Sequence, residues 1–243
     1  MKATGDLSRV AVVLVRTSHP GNIGSAARAM KTMGLRDLVL VAPRHFPHPE
    51  AEALAAGAAD LLARARVVAT LEEALADRAL AVGFSARRRD LSHPVAEWRD
   101  LAPSVGALAG PLALVFGNET SGLTNDELLR CARLATIATN PEYGSLNLAA
   151  AVQVACYELA LASRAFAPSP GGAGEPATGE DLEALHARLR SLLVASGFID
   201  PENPGRYDER LRRLASRANL EREEVRLIHG ILEALSRRAG SGG

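Results

Sequence analysis

The chain has 243 residues, 47% hydrophobic and 4% aromatic, with 28 basic residues balanced by 28 acidic ones. Such a length suits one large domain, or one domain with an appendage, and the composition is that of a folded protein with an aliphatic, helix-rich core. Zero net charge excludes any argument for a nucleic-acid partner from global electrostatics, so a basic surface has to arise from local segregation.

All but two of the basic residues, Lys2 and Lys31, are arginine, the side chain best suited to phosphate and base contacts. Cys131 and Cys156 have neither CxxC nor metal spacing and read as buried thiols of a reducing compartment. Nothing resembles a signal peptide or a membrane span, so a cytoplasmic protein without a membrane partner is expected.

In chain order, residues 10–15 are a continuous apolar, β-branched run, the pattern of a strand buried on both faces of a parallel sheet. Residues 16–24 read as a loop containing His19-Pro20-Gly21-Asn22-Ile23-Gly24, and 25–33 as a helix stopped by Gly34. On that helix Ala26, Met30 and Met33 share a face, with Arg28 and Lys31 away from it. Residues 38–42 close a right-handed β-α-β unit. His45 and His48 in the loop 43–49 have no carboxylate or cysteine at ligand spacing, so they read as exposed histidines.

Residues 50–65 predict one alanine-rich helix, 67–68 a short strand, 71–76 a short helix, and 79–83 a strand leading into Phe84-Ser85-Ala86-Arg87-Arg88-Arg89. A helix is expected over 94–100, a strand over 112–116, and a helix over 124–130 with Thr124 and Glu127 in capping-box register. The strand 134–138 and the helix 147–166 complete an α/β unit with a mostly parallel sheet, which periodicity alone renders as simply doubly wound. Residues 167–180 have the Pro, Gly, Ser and Ala content of a flexible linker. Three amphipathic helices, 181–196, 204–218 and 221–238, form an all-helical extension rich in arginine. Three short helices bury little surface alone, so they are expected to dock on something.

Three loops, after the strands ending near 83, 116 and 138, carry glycine or small polar residues. Ligands of open α/β sheets bind outside the carboxyl ends of the strands, so these loops predict a small-molecule pocket built largely of backbone. The GxGxxG, Walker A, GxSxG and HExxH patterns are missing. Ser145 has no fixed histidine partner, which leaves a hydrolase triad unsupported. The Asn140–Asn147 loop admits two readings: a turn in which Ser145 or Asn147 caps a helix, or a ligand loop in which Gly144 permits close backbone approach.

Three blocks together settle on a resemblance: Asn-Ile-Gly-Ser-Ala-Ala-Arg from Asn22 to Arg28, Phe-Gly-Asn-Glu-Thr-Ser-Gly-Leu-Thr-Asn-Asp-Glu-Leu from Phe116, and Asn-Pro-Glu-Tyr-Gly-Ser-Leu-Asn-Leu-Ala from Asn140. In order and spacing they resemble the motifs of SPOUT-class 2′-O-ribose RNA methyltransferases, over about residues 10–165. With the arginine-rich extension, the chain is most similar to the bacterial tRNA (cytidine/uridine-32-2′-O)-methyltransferase branch.

The resemblance implies a methyltransferase domain over 1–166 with a C-terminal trefoil knot, a linker over 167–180, and a helical extension over 181–243. It implies a homodimer, a tRNA substrate and no DNA partner. S-adenosyl-L-methionine would be held by Phe84, Ser85, Ala86, Gly117, Glu119, Ile137, Gly144, Ser145, Leu146 and Asn147, with no metal. Arg28 takes a catalytic role, Ser145 accepts or relays a proton, and Asn22 orients the arginine. Because a guanidinium stays charged, Arg28 is expected to bind phosphate and stabilise a developing alkoxide rather than act as a base.

Glu119 is expected to hold the motif loops through backbone N–H groups. Arg87, Arg88, Arg89, Arg206, Arg210 and Arg213 are candidate RNA contacts, weighed against a merely solvated charged face. Phe84, where relatives often carry Thr, is expected at the pocket mouth, and Ala138 stands where they often carry Pro. The implied reaction is methyl transfer to a tRNA 2′-hydroxyl at nucleotide 32 of the anticodon loop. The alternatives are another tRNA or rRNA position, a catalytically idle RNA-binding relative, and a nucleotide-dependent oxidoreductase, which the missing glycine fingerprint disfavours.

Overall fold

The computed structural model describes residues 7–86, 94–165, 174–203 and 205–240. In chain order its first elements are β1 (Val10–Val15), α1 (Pro20–Thr32), β2 (Asp37–Val41), α2 (Pro49–Ala55), α3 (Ala59–Ala63), β3 (Arg66–Val68), α4 (Leu71–Leu75) and β4 (Leu80–Phe84). They are followed by β5 (Val95–Glu97), α5 (Trp98–Ala107), β6 (Leu112–Phe116), α6 (Asn125–Leu129), β7 (Arg133–Thr136) and α7 (Leu148–Ala165). Three further helices, α8 (Gly179–Ala195), α9 (Tyr207–Ala218) and α10 (Arg222–Gly240), make up the extension.

The strands form a seven-stranded sheet in the order β3-β2-β1-β6-β4-β7-β5, and every pair is parallel. All six residues of β1 are buried, as a strand covered on both faces requires. Val10, Val12 and Leu14 pack under α1, α2, α3, α5 and α7. Ala11, Val13 and Val15 face Leu71, Ala74 and Leu75 of α4 and Leu128 of α6. Strand β7 follows β6 in the chain yet pairs on the far side of β4, and β5 pairs outside it. That half of the sheet is where the resemblance implies a knot.

Several boundaries differ from the sequence reading, each for a local reason. Helix α1 begins at Pro20, not at 25; proline suits a first helical turn, whose N–H groups have no intrahelical partner. Asn22 therefore stands in a helix rather than a loop. Gly24 serves packing, because a Cβ there would sit 2.1 Å from the Ala51 carbonyl oxygen of α2. The single helix expected over 50–65 is broken by a 3₁₀ turn, Ala56–Ala58, where Ala56 has φ 47°. Residues 95–97 form an edge strand instead of opening a helix, and α5 runs to Ala107 with Pro103 inside it. Trp98, 1% exposed, anchors α5 by donating from Nε1 to the Ala155 carbonyl of α7 at 3.0 Å.

The extension docks on the α/β unit, as its small size demands. Gly179 N–H donates to the Arg78 carbonyl at 2.7 Å and Glu180 N–H to the Ala76 carbonyl at 3.1 Å. Part of the expected linker is a pinned strap: Ala177 N–H donates to Leu220 O, Arg222 N–H to Glu175 O, and Thr178 caps α8 with Asp181 in a capping box. Leu185 and Val225 close a small core beneath the buried Ala177. Among the described residues no helix is long and apolar enough to cross a membrane. Cys131 and Cys156 are free and buried, and burial pushes both thiols up to about 12.

Candidate active site

The loops after β4, β6 and β7 surround one cavity of about 140 Å³. Its walls are Phe84, Ser85 and Ala86; Phe116, Gly117, Asn118, Glu119, Thr120, Ser121 and Gly122; and Ile137, Gly144, Ser145 and Leu146, with Leu148 and Ala151 of α7 behind. Nine of the ten expected donor-pocket residues, Glu119 among them, thus border the cavity directly. The tenth, Asn147, is not a lining residue.

Phe84 stands elsewhere than expected. It closes β4 inside the core, 8% exposed, stacked on Phe116 at 4.4 Å between centroids and edge-on to Trp98 at 5.0 Å. Aromatic pairs of this kind hold a ring firmly, so Phe84 is the cavity floor and not its mouth.

Glu119 organises the corner between β1 and α1. Its carboxylate accepts from Ser18 N–H at 3.0 Å, Ser18 Oγ at 2.8 Å, His19 N–H at 3.1 Å and Asn22 Nδ2 at 2.9 Å. Partial burial pushes the carboxyl up, but the hydrogen bonds from Asn22 and Ser18 outweigh it and hold the group at about 2. Asn22 in turn accepts from Asn147 Nδ2 at 2.9 Å, and Asn147 Oδ1 accepts Ala149 N–H at 2.9 Å as the cap of α7. One residue from each motif is therefore joined in a single hydrogen-bonded chain. The helix-cap reading holds for Asn147 and not for Ser145.

Sequence reasoning missed the residues that brace this corner. Asn118 Nδ2 donates to the Arg16 carbonyl at 2.7 Å, while its Oδ1 accepts Thr120 N–H at 2.9 Å. Arg16, at φ 51°, reaches Glu127 of α6. Asn118 carried a signal in lying beside Glu119, whereas Ser18 and Arg16 carried none.

Ser145 is exposed at the cavity edge, and its hydroxyl makes no hydrogen bond among the described residues. Arg28 is exposed on α1, has no partner among the described residues, and does not line the cavity. Of the candidate RNA contacts, Arg87, Arg88 and Arg89 lie outside the described residues. Arg206 is paired with Glu209 at 2.8 Å; Arg210 and Arg213 stand on α9. His48 caps α2, its Nδ1 accepting Glu50 N–H at 3.2 Å. Among the described residues no three His, Cys, Asp or Glu side chains group as a metal site.

A family model described as the SpoU rRNA Methylase family matches residues 9–157. The chain belongs to the SpoU methylase family. A second model, the C-terminal domain of the tRNA methyltransferase TrmJ, matches residues 180–242. Two curated TrmJ relatives are similar along nearly the whole length. The tRNA (cytidine/uridine-2′-O-)-methyltransferase TrmJ of Cronobacter sakazakii is 47% identical over 94% of this chain and 96% of its own. The tRNA (cytidine/uridine/adenosine-2′-O-)-methyltransferase TrmJ of Pseudomonas aeruginosa is 47% identical over 93% of each. The crystal structure of TrmJ from Z. mobilis ZM4 superposes with a TM-score of 0.81 at 35% identity, covering 93% of this chain and 98% of that one. The SpoU match spans the parallel sheet and its helices, and the TrmJ match the helical extension, so both parts of the expected architecture have a counterpart.

Proposed function

We propose that the chain transfers a methyl group from S-adenosyl-L-methionine to the ribose 2′-hydroxyl of a tRNA nucleotide, at position 32 of the anticodon loop. What carries this reading is the Asn147–Asn22–Glu119 chain, which ties all three methyltransferase motifs around one cavity. The lining suits the donor: Phe116, Ile137 and Leu146 give apolar walls, and the glycine-bearing loops expose backbone groups. When bound, S-adenosyl-L-methionine supplies a methyl group activated by a sulfonium, whose charge disappears on transfer and so favours an apolar surround.

The protein's own groups divide the remaining work. Glu119 has its acceptors filled by five donors, Asn118 Nδ2 at 3.3 Å included, so it acts as a fixed anchor and not as a proton acceptor. Ser145, exposed with a free hydroxyl, orients the ribose hydroxyl and relays its proton to solvent water as the methyl group leaves the sulfonium, which becomes a neutral thioether. Arg28 lies away from the cavity lining of its own chain, and it acts once RNA or a second copy of the chain brings a phosphate or a donor pocket to it. There its guanidinium stabilises the developing alkoxide. In this reading residues 1–166 perform the chemistry, the 181–243 extension binds RNA, and the working unit is a cytoplasmic homodimer.

Incubation with labelled S-adenosyl-L-methionine and undermodified tRNA, followed by mapping of the methylated nucleotide, tests the reaction and the position together. Absence of labelled product from any RNA would leave only an RNA-binding relative. The Arg28→Ala variant is expected to lose at least about 100-fold in turnover, the scale of a removed oxyanion donor. Its donor affinity by calorimetry should stay within about twofold; lost donor affinity would move Arg28 from the chemistry to the pocket.

A further inference from the structure

We infer that the groove between Phe198 and α9 is a stacking platform for unpaired nucleotides of the substrate RNA; the inference rests on the tRNA reading above. Helix α8 ends at Ala195 with Ser196 as its cap, and Gly197 follows with a φ of 75°, the left-handed position after a helix end. The turn sends Phe198 outward, 60% exposed, while the next residue, Ile199, is buried at 1%. Tyr207, 40% exposed at the start of α9, meets Phe198 edge-to-face with ring centroids 5.2 Å apart. Two large rings are thus held against each other at the surface, with much of both left to solvent.

The same face continues as a stripe. Tyr207, Arg210, Leu214 and Arg217 follow one another at helical spacings of three and four, and all four are exposed. Together with Phe198 and Arg213 they line a groove of about 500 Å³, and no carboxylate lines it. The acids of α9 are engaged elsewhere, Asp208 with Arg190 at 3.1 Å and Glu209 with Arg206 at 2.8 Å. Arg210 and Arg217 make no side-chain hydrogen bond or ion pair among the described residues.

An exposed aromatic pair beside the guanidinium groups of Arg210 and Arg217, in a groove without acids, matches what an unstacked base and its phosphates require. Every base has a π-face to lay on a ring, and every phosphate is a permanent anion. Duplex RNA offers the anion without the free π-face, so the rings single out loop nucleotides. A protein partner would gain from the rings but would need its own acidic surface to meet the arginines.

The test uses the full chain and an unmodified tRNA transcript. Phe198→Leu/Tyr207→Leu keeps apolar bulk and removes both π-faces. Its affinity for tRNA should fall roughly 5- to 100-fold, the range for losing base stacking, with an unchanged salt slope. Its affinity for a fully paired RNA hairpin should not change. Arg210→Gln/Arg217→Gln should instead flatten the slope of log affinity against log salt by about one to two. Both variants should bind S-adenosyl-L-methionine and melt as the parent does, and Phe198→Tyr/Tyr207→Phe should retain parental affinity. A leucine variant that melts normally and binds and methylates tRNA with parental Kd and KM would overturn the platform while leaving the proposed reaction standing. If the parent chain binds no tRNA, the reaction and the platform fall together.

Discussion

The loop after β6 and the loop after β7 line the same cavity, yet they are held in different ways. In the first, Asn118 and Glu119 spend their polar atoms on Arg16, Ser18, His19, Asn22 and Thr120. A Cβ on Gly117 would lie 2.1 Å from the backbone at Gly122 and Leu123. In the second, the bonds short of Asn147 are local: Asn140 accepts Glu142 N–H at 3.0 Å, and Thr139 Oγ1 donates to the Gly144 carbonyl at 3.1 Å. Tyr143 is 82% exposed. A segment with few buried contacts opens at little cost. The difference separates a rigid reference wall from a wall that can yield, and a cavity of about 140 Å³ needs one that yields before it takes a ligand that fills a pocket of roughly 300 Å³ or more.

Substitution at the two glycines and at the polar links between the walls measures that contrast. The largest effect is expected from Gly117→Ala, because the new methyl meets backbone that cannot rotate away. A loss of about 3 kcal/mol, read as a melting temperature lower by roughly 6–12 °C, should accompany loss of donor binding. Normal melting and calorimetry would mean that this wall yields too.

Glu119→Gln comes next, at about 1–2 kcal/mol after discounting for its partial exposure. With the folded carboxyl at about 2 against an ordinary 4.5, its ionised form stabilises the fold fully above pH 4.5. That contribution disappears as pH falls from 4.5 towards 2. Thermal melts of the parent should decline across this window, whereas the glutamine variant, lower at neutral pH, should lack that share of the decline.

Asn147→Ala removes the α7 cap and the link to Asn22, and about 1 kcal/mol is expected from denaturant titration. Gly144→Ala closes the series. Its Cβ would meet only Thr139 Oγ1 at 3.1 Å and Asn140 O at 3.5 Å. A stability change within about 0.5 kcal/mol is expected, and a larger one would show the second wall to be as constrained as the first.

How far the sequence went can be seen in particular residues. Apolar runs located β1, β2 and β6 because strands buried on both faces leave no alternation to misread. The Thr124–Glu127 capping box was legible because both halves of the motif are side-chain chemistry. Strand β5 was not, since three residues at a sheet edge, two of them exposed, carry no pattern. Nor was the break at Ala56, where an alanine takes a backbone angle that its side chain does not advertise. The loops of the cavity were found from their motifs, but the ties between them were not. Ser18 reaches Glu119 across 101 positions of sequence, a separation no local spacing encodes.

The Asn147–Asn22–Glu119 chain has a direction. An amide side chain looks the same from either end until a neighbour decides which end is oxygen, but an ionised carboxylate can only accept. Glu119 therefore fixes the Asn22 amide nitrogen toward itself, which turns the Asn22 oxygen to Asn147. Asn147 must then present its nitrogen, leaving its oxygen for the N–H groups that open α7. One negative charge at the first turn of α1 thus sets the polarity of dipoles as far as the start of α7, and the backbone N–H groups there, which can only donate, hold the same polarity from the other end.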